Sequence, residues 1–362
     1  MSHRAHGEGS IAHRKDGRWQ ASLQIDGRRV YVYGETRAEV VEKLRGLTEQ
    51  ARKTGGRLPT AGKMTVQAFL TDWLDQAKPR LRPKTVENYE RTIRLHIVPS
   101  LGGLPLAKLT ALRLGRHYSE LSKTTGARTI QVAHRILHKA LHDAERWGLI
   151  AANPAARVDC PTAEPKEAGV WTPEQIRLFV SALSRGEGGQ YGNLLLFLLA
   201  SGCREGEALG LTWTDIDWDR ATVRIERQVT FAHHRPVELP PKTEAGRRCL
   251  TLPSWGLEAL RRQQPASCQR VFVTATCTTP NPANVLRSLH GICRRLDLPA
   301  LRVHDLRRLN LSLLAMAGVP VRVAQQRAGH SRASVTQEIY QRVLGDADRQ
   351  AADAIDKALG RG

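Results

Sequence analysis

The sequence predicts a mainly helical α+β protein with three parts. These are a small three-stranded β-sheet backed by a helix, a four-helix domain, and a mostly helical domain that contains a small antiparallel sheet. The chain has 362 residues, which is enough for two or three domains. Hydrophobic residues make up 41% and charged residues 25%, as in globular proteins. Hydrophobic and polar residues alternate in two stretches, and in the longer stretches beside them hydrophobic residues recur about every 3.6 residues.

Two segments rich in Gly, Pro or charge have the composition of linkers, at residues 58–63 and 162–170. They predict domains at residues 1–57, 64–161 and 171–362.

The charge balance favours a polyanionic partner. Fifty-five Lys and Arg against 35 Asp and Glu give a net charge of +20, which suits nucleic acid or an anionic membrane surface. The longest apolar run, Leu194 to Ala200, is too short for a bilayer span, and the polar N-terminus lacks a secretion signal. The six cysteines form no CxxC pair. We therefore expect a cytoplasmic protein with reduced thiols and no membrane contact.

The first domain begins with hairpin signals. Asp16-Gly17 and Asp26-Gly27 predict type I′ turns between alternating strands, and Thr36 with Glu39 predicts a capping box that starts a helix. One sheet face is polar. We expect it to contact DNA, with a merely solvated face as the alternative, through Arg18, Gln20, Ser22, Gln24, Arg29, Tyr31 and Tyr33.

The second domain shows four amphipathic helices. They include residues 66–77, a helix through Ile97, one that starts at Thr110, and one that ends near Gly148. The last helix carries a stripe of histidines beside basic residues. A zinc site is the weaker interpretation because the stripe lacks the Glu of HExxH, so we expect phosphate contacts instead. The stripe is His134, His138 and His142, and the predicted DNA-binding residues beside it are Arg135, Lys139 and Arg146.

The third domain opens with a capping box at Thr172 and Gln175, and helices follow to about Leu211. Alternation then predicts a three-stranded sheet, and a further helix starts at Asn281. The three predicted strands are residues 222–226, 228–231 and 249–252.

Chemistry-bearing residues recur through this third domain. Each alone has a structural explanation, but two Arg and a Lys together would clamp phosphate oxygens. A cationic, partly desolvated site would also favour the phenolate of a nucleophilic Tyr. The chain offers no carboxylate cluster for Mg²⁺, so no cofactor is expected. The candidate catalytic residues are Arg204, Lys242, His304, Arg307, His330 and Tyr340, with Glu207 as a supporting residue.

The order and spacing of these residues resemble the tyrosine recombinases, more narrowly the phage-type integrases. The HxLR, GH and Tyr elements carry the resemblance, together with the PPKTEAGRR stretch and NPA at residues 153–155. The resemblance implies an arm-type DNA-binding domain, a core-binding domain and a catalytic domain.

The resemblance also implies a role for each residue. Tyr340 would attack the scissile phosphate and form a 3′-phosphotyrosyl link, and His304 would assist its proton transfer. Lys242, on a mobile hairpin tip, would protonate the leaving 5′-oxygen. Arg204, Arg307 and His330 would hold the phosphate, and Glu207 would orient an Arg or His.

The implied partners are double-stranded DNA attachment sites of core and arm type, and a tetramer on DNA. A directionality factor or host DNA-bending protein would also fit. A tail helix at residues 346–359 would dock on a neighbouring protomer or, alternatively, on its own chain. The implied function is integration and excision of a mobile element without metal or ATP. The alternatives are a type IB topoisomerase-like relaxing enzyme and an architectural DNA-binding protein without catalysis.

Overall fold

The structure is a computed structural model, and it describes residues 10–25, 28–53, 63–162, 171–263 and 268–343. The chain divides into two compact units, Met1–Pro165 and Lys166–Gly362. The predicted linkers lie almost wholly outside the described residues, and the predicted tail helix lies wholly outside them.

The N-terminal sheet is antiparallel with strand order β1 (Ser10–His13), β2 (Trp19–Ile25), β3 (Arg28–Gly34). The predicted turn at Asp26-Gly27 lies outside the described residues. The predicted type I′ turn at Asp16-Gly17 is wrong, because residues 14–18 form a longer connection and only Gly17 of the pair has positive φ (+81°). The Asp16 carboxylate accepts a hydrogen bond from the Arg18 backbone N–H at 3.2 Å, which stabilises this loop.

Helix α1 (Arg37–Lys53) covers the apolar face of this sheet. The Thr36 hydroxyl accepts the Glu39 backbone N–H at 3.2 Å, as the capping box predicts. A small core forms from the buried side chains of Ala21, Leu23, Val40 and Leu44.

The four predicted helices of the second domain are present. They are α2 (Val66–Ala77), α3 (Pro83–Thr92), α5 (Ala111–Ser122) and α6 (Ala127–Arg146). The second one differs from the prediction, because regular helix ends at Thr92 and a π-helical turn (Ile93–Ile97) leads into the short α4 (Val98–Leu101). This turn keeps Ile93 and Ile97 in the core despite the irregular backbone.

The second unit is built around one apolar helix. The described helices are α7 (Pro173–Ser184), α8 (Gly192–Ser201), α9 (Glu205–Leu209), α10 (Ser254–Arg262), α11 (Pro282–Arg295), α12 (Val303–Met316), α13 (Val321–Ala328) and α14 (Ala333–Val343). The run from Leu194 to Ala200 lies in α8 and is buried on all sides, which explains its lack of a polar face. Thr172 and Gln175 form the predicted capping box of α7.

The predicted three-stranded sheet is wrong in its middle member. The sheet contains β4 (Ile216–Asp217), β5 (Thr222–Ile225) and β8 (Arg248–Thr251), whereas β6 (Gln228–Ala232) pairs with β7 (Arg235–Leu239) as a separate hairpin. The turn residues His233 and His234 both adopt positive φ, which is uncommon for residues other than glycine, and the sequence has no Asn-Gly or Asp-Gly pair there to predict the turn. The second strand, Arg-Pro-Val-Glu-Leu, also lacks a clear alternation.

The expectation of six reduced thiols is wrong for one pair. The structure joins Cys268 to Cys277 in a disulfide, with their Cα atoms 5.9 Å apart. Residues 268–277 fold back on themselves there, and spacing along the sequence does not reveal such proximity. Cys160, Cys203, Cys249 and Cys293 are free.

Candidate active site

Arg204 sits at the junction of α8 and α9. Helix α8 ends at Gly202 in the left-handed region (φ +65°), where a Cβ would lie 2.4 Å from the Asn310 side-chain oxygen, so only glycine fits. The chain then places Arg204 at the N-cap of α9, and its Nη1 donates to Glu207 Oε1 at 2.6 Å. The Arg204 side chain remains 31% exposed, so the guanidinium can still reach a ligand.

Glu207 is buried and binds two guanidinium groups. In addition to Arg204, it accepts a hydrogen bond from Arg248 Nη2 at 2.8 Å. Burial alone would raise the pKa of Glu207, but Arg248 and Arg204 together hold it below the ordinary value. The carboxylate is therefore ionised, and it orients both arginines.

Arg307 projects from α12 into the same region and is only 2% exposed. Its Nη1 donates to the Gly202 carbonyl at 2.8 Å and its Nη2 to the Ala328 carbonyl at 2.5 Å. Burial and the positive charge of Arg204 lower the pKa of Arg307 to about 10, so it stays charged at neutral pH. The carbonyls fix the guanidinium but bring no negative charge to neutralise it.

His330 follows the left-handed Gly329 that ends α13. Its Nδ1 lies 2.8 Å from the hydroxyl of Thr336, a fully buried residue of α14. Burial, Arg307 and Arg204 lower the pKa of His330 to about 4. The imidazole is therefore neutral at pH 7 and has a single N–H to offer.

His304 lies in the first turn of α12, three residues before Arg307. Partial burial of the ring and the charge of Arg307 lower the pKa of His304, although the residue keeps an exposed edge. We call the region around Arg204, Glu207, Arg307 and His330 the pocket. The nearby charges of Arg204 and Arg307 associate His304 with it.

Lys242 is exposed and lies in the connection between β7 and β8, so the predicted position at a hairpin tip is wrong. The tip of the β6–β7 hairpin is His233-His234. The connection still approaches the pocket, because a Cβ at Gly329 would lie 2.9 Å from the Ala245 carbonyl oxygen.

Tyr340 is not brought together with the arginines. It is 4% exposed on α14, within a cluster with Leu311 and Ala324, and its hydroxyl donates to the Val319 carbonyl at 3.0 Å. Burial raises the pKa of Tyr340, so the phenol is protonated in this state. The predicted phenolate would require a rearrangement that removes Tyr340 from this cluster.

Sequence reasoning missed three residues around the pocket. Arg248 is named above, and Arg327 reaches the carbonyls of Thr251 and Ala200. Glu205 follows Arg204, and its Oε1 is buried with no hydrogen-bond partner among the described residues. Burial raises the pKa of Glu205 to about 7. The only sequence signal was the clustering of Arg and Glu around Arg204 and Arg247, which looks like surface charge.

Of the predicted DNA-binding side chains on the sheet, Arg18, Gln24, Arg29, Tyr31 and Tyr33 are exposed and Gln20 is half-buried. The expectation of an exposed contact is wrong for Ser22, which is only 6% exposed on the middle strand. Its hydroxyl bonds to that of Ser10 on the neighbouring strand at 2.7 Å.

A further basic residue joins this face. The Arg14 guanidinium carbon lies 5.3 Å from the centre of the Tyr33 ring, and Nη1 donates to Gln20 at 3.2 Å. The predicted basic residues of α6, namely Arg135, Lys139 and Arg146, are all exposed.

Within that part of the chain that the structure describes, no three His, Cys, Asp or Glu side chains are arranged to hold a metal ion. In the histidine stripe, His134 bonds instead to the Tyr118 hydroxyl at 3.0 Å. None of the described helices combines the length and apolar character needed to cross a bilayer.

The chain is similar to known proteins in sequence and in fold. The model of the phage integrase family matches residues 170–345, and that of the phage integrase N-terminal SAM-like domain matches residues 65–122. A XerC-like tyrosine recombinase of Caldanaerobacter subterraneus subsp. tengcongensis is 26% identical and covers 90% of both chains. An integrase of Saccharopolyspora erythraea is 24% identical over 97% of this chain and 96% of its own.

Solved structures share the fold. An integrase of the transposon Tn1549 in complex with a circular intermediate DNA aligns with a TM-score of 0.69 at 19% identity, over 79% of this chain and 99% of that one. A lambda integrase dimer bound to a COC′ core site aligns with a TM-score of 0.61 at 15% identity, over 94% and 96%.

The chain belongs to the tyrosine recombinases, in the phage-type integrase family. It is a site-specific recombinase that binds DNA and cuts and rejoins its strands.

Proposed function

We propose that Arg204, Arg307 and His330 hold the scissile phosphate of an attachment site while Tyr340 forms a 3′-phosphotyrosyl intermediate. The observation that carries this proposal is the charge imbalance of the pocket. Three guanidinium groups lie in this region, on Arg204, Arg248 and Arg307. Among the described residues, the Glu207 carboxylate pairs with the first two and acts electrostatically on the third, so positive charge is in excess. Such a surplus favours an anion and, still more, the extra charge of a phosphoryl transition state.

The chemistry balances without an energy source. The Tyr340 oxygen attacks phosphorus and the P–O5′ bond breaks. Lys242 donates a proton to the leaving oxygen, and His304 assists removal of the phenolic proton. The phosphotyrosyl link conserves the energy of the broken phosphodiester bond, because one P–O bond replaces another. A second 5′-hydroxyl can therefore attack the link, release Tyr340 and join a new strand.

Tyr340 must first leave the Val319 carbonyl. Helix α14 is joined to α13 by the short segment that contains Gly329 and His330, so a change there would move Tyr340 and Thr336 together. We propose that DNA and a neighbouring protomer drive this change, and that the chain acts as a tetramer on DNA. The tetramer structure of lambda integrase on a Holliday junction shows that a protein of this fold assembles in that way.

The exposed sheet face supports a second, arm-type contact, and the exposed basic stripe of α6 supports a core-site contact. The domains proposed for these contacts are residues 1–57 and 64–161, with residues 171–362 as the catalytic domain. Integration and excision of a mobile element place the proposed action at the bacterial nucleoid. A directionality factor or host DNA-bending protein would then set its direction.

The test uses a nicked duplex that carries the attachment site, which a short direct repeat in the DNA flanking the gene defines. We expect a covalent protein–DNA complex with the wild-type chain and none with Tyr340→Phe. Joining of strands between two sites supports recombination, whereas relaxation of supercoiled DNA without joining would support the topoisomerase-like alternative. Binding without any covalent complex would leave an architectural protein and overturn the proposal.

A further inference from the structure

Arg248 connects three parts of the pocket that are distant in sequence. It is the first residue of β8, and its side chain is 7% exposed. Nη2 donates to Glu207 Oε2 at 2.8 Å, Nη1 to the Gly246 carbonyl at 2.9 Å, and Nε to the Arg327 carbonyl at 2.7 Å. One guanidinium therefore joins α9, the β7–β8 connection and the end of α13.

The bond to Gly246 reaches the segment that carries Lys242. Gly246 is buried, and a Cβ there would lie 2.6 Å from the Pro241 Cβ, so the two residues are in close contact. Pro241 directly precedes Lys242. At the other end of the segment, Gln228 Nε2 donates to the Pro240 carbonyl at 3.1 Å. The exposed Lys242 therefore follows a proline that packs on Gly246, and Arg248 bonds both to Gly246 and to Glu207.

The bond to Arg327 reaches the turn that carries His330. A Cβ at Gly329 would lie 2.9 Å from Arg248 Nη1, so this left-handed turn packs directly on the guanidinium. A lysine ammonium also has three N–H donors, but they extend from a single nitrogen and cannot reproduce contacts that the guanidinium makes from three separate nitrogens in one plane.

We propose that Arg248 is a positioning residue that aligns the Lys242 segment with Arg204 and Glu207, so that the general acid reaches the leaving oxygen. This inference rests on the proposed function, in which Lys242 gives its proton to O5′ as the P–O5′ bond breaks. Arg248 itself does not contact the reacting atoms.

A substrate with sulfur in place of the bridging 5′-oxygen isolates this role. In that substrate the P–S bond breaks and a thiolate leaves without needing a proton, because thiols have a pKa of about 8.5. The pKa of an alcohol is near that of bulk water and far above that of a thiol, so an alkoxide needs a proton to leave. A defect in proton donation therefore disappears with the sulfur substrate, and a defect in phosphate binding remains.

The experiment measures covalent complex formation by the full chain on matched oxygen and sulfur duplexes. We expect Arg248→Met to lose about 100-fold on oxygen, as for other preorganised donors, and to recover to within about tenfold of wild type on sulfur. Arg248→Lys should lose less and also recover. Lys242→Ala is the benchmark that recovers, and Arg307→Ala the one that does not. Arg247→Ala, at the exposed neighbouring residue, is the control for lost charge.

The outcomes separate the two ideas. If Lys242→Ala recovers on sulfur but Arg248→Met and Arg248→Lys do not, although their thermal unfolding matches that of wild type, the positioning role is overturned. If Arg248→Met unfolds, the decision rests on Arg248→Lys alone. If Lys242→Ala itself fails to recover, the general-acid assignment in the proposed function is wrong, and the positioning role that depends on it falls as well.

Discussion

At the scale of single residues, the pocket is defined by how its charges are held. Arg307 is almost fully buried and its hydrogen bonds among the residues described are to carbonyls, so the Glu207 carboxylate acts on its charge without a direct bond. A buried charge of this kind is costly in the free protein, and an anion relieves the cost. Phosphate binding therefore explains Arg307 better than a contribution to the free energy of unfolding does.

Replacement of Arg307 by Ala should separate cleavage from binding. We expect covalent complex formation to fall about 10²–10³-fold, as when one preorganised transition-state donor is removed. DNA affinity should stay within about threefold, because many other basic residues contact phosphates. Arg308→Ala, at the adjacent and partly exposed position, is the matched control, and filter binding beside a cleavage assay gives both numbers. A large loss of affinity in Arg307→Ala would contradict this division.

Glu205 predicts a pH effect on stability. Burial raises its pKa to about 7, so between pH 4.5 and 7 the folded chain binds more protons than the unfolded chain and loses stability as pH rises. Glu205→Gln removes the buried charge. It should therefore gain about 1–3 kcal/mol in the free energy of unfolding at pH 8 and less at pH 5. Urea titrations at the two pH values measure this, with the exposed Glu258→Gln as control. An equal effect at both values would show that Glu205 is not buried as described.

At the scale of elements, α14 joins the proposed nucleophile, Tyr340, to His330, the proposed phosphate ligand. Thr336 and Tyr340 are one turn apart, and Thr336 bonds to His330 Nδ1. If the hydroxyl donates to Nδ1, the Nε2–H of the neutral imidazole becomes the donor for a phosphate oxygen. Movement of α14 would therefore change the hydrogen bond between Thr336 and His330 as well as the position of Tyr340.

Thr336→Val tests this link, because valine keeps the shape and removes the hydroxyl. We expect about a tenfold loss in cleavage rate, the size of one hydrogen bond to a reacting group. Thr336→Ser should restore most of the rate. Single-turnover cleavage on the nicked duplex is the measurement. A wild-type rate in Thr336→Val would mean that another group sets the His330 tautomer.

The N-terminal sheet predicts a separate DNA contact. Arg29→Ala should weaken binding to an accessory arm-type site by about 1 kcal/mol or more and leave binding to the crossover core unchanged. Competition binding with separate arm and core duplexes measures both. Arg45→Ala, an exposed residue of α1, should change neither. An equal loss on both duplexes would remove the assignment of this domain to an arm site.

At the scale of the whole molecule, local patterns predicted local structure well. The capping box at Thr172 and the periodicity of α2 and α6 appear as expected, because neighbours within a few residues decide them. At Thr36 only half of the predicted box forms, because the hydroxyl caps the Glu39 N–H while the Glu39 carboxylate accepts from the Glu35 N–H. The β6–β7 pairing was missed because its turn, His233-His234, lacks the Asn-Gly or Asp-Gly signal of a hairpin. The Cys268–Cys277 bond was missed because the spacing of nine residues does not by itself define the conformation of the loop between them.

The candidate site follows the same division. The resemblance carried by Arg204, Arg307 and His330 predicts that they meet. The structure pairs Arg204 with Glu207 and brings Arg307 and His330 close to Arg204. The position of Tyr340 could not be predicted, since its phenol binds Val319 only through the packing of α14 on α12 and α13. This arrangement of α14 therefore keeps the phenol of Tyr340, the proposed nucleophile, protonated and bonded to a backbone carbonyl instead of to the charged pocket.

The central claim is that this pocket binds the scissile phosphate and that α14 brings Tyr340 to it. The structure of the Tyr340→Phe variant bound to an uncut attachment-site duplex tests it most directly. We predict one backbone phosphate within hydrogen-bond distance of Arg204, Arg307 and the His330 Nε2, with the substituted aromatic ring displaced from Val319 and facing phosphorus. A duplex whose phosphates all lie away from Arg307, with that ring still packed in its present cluster, would contradict it.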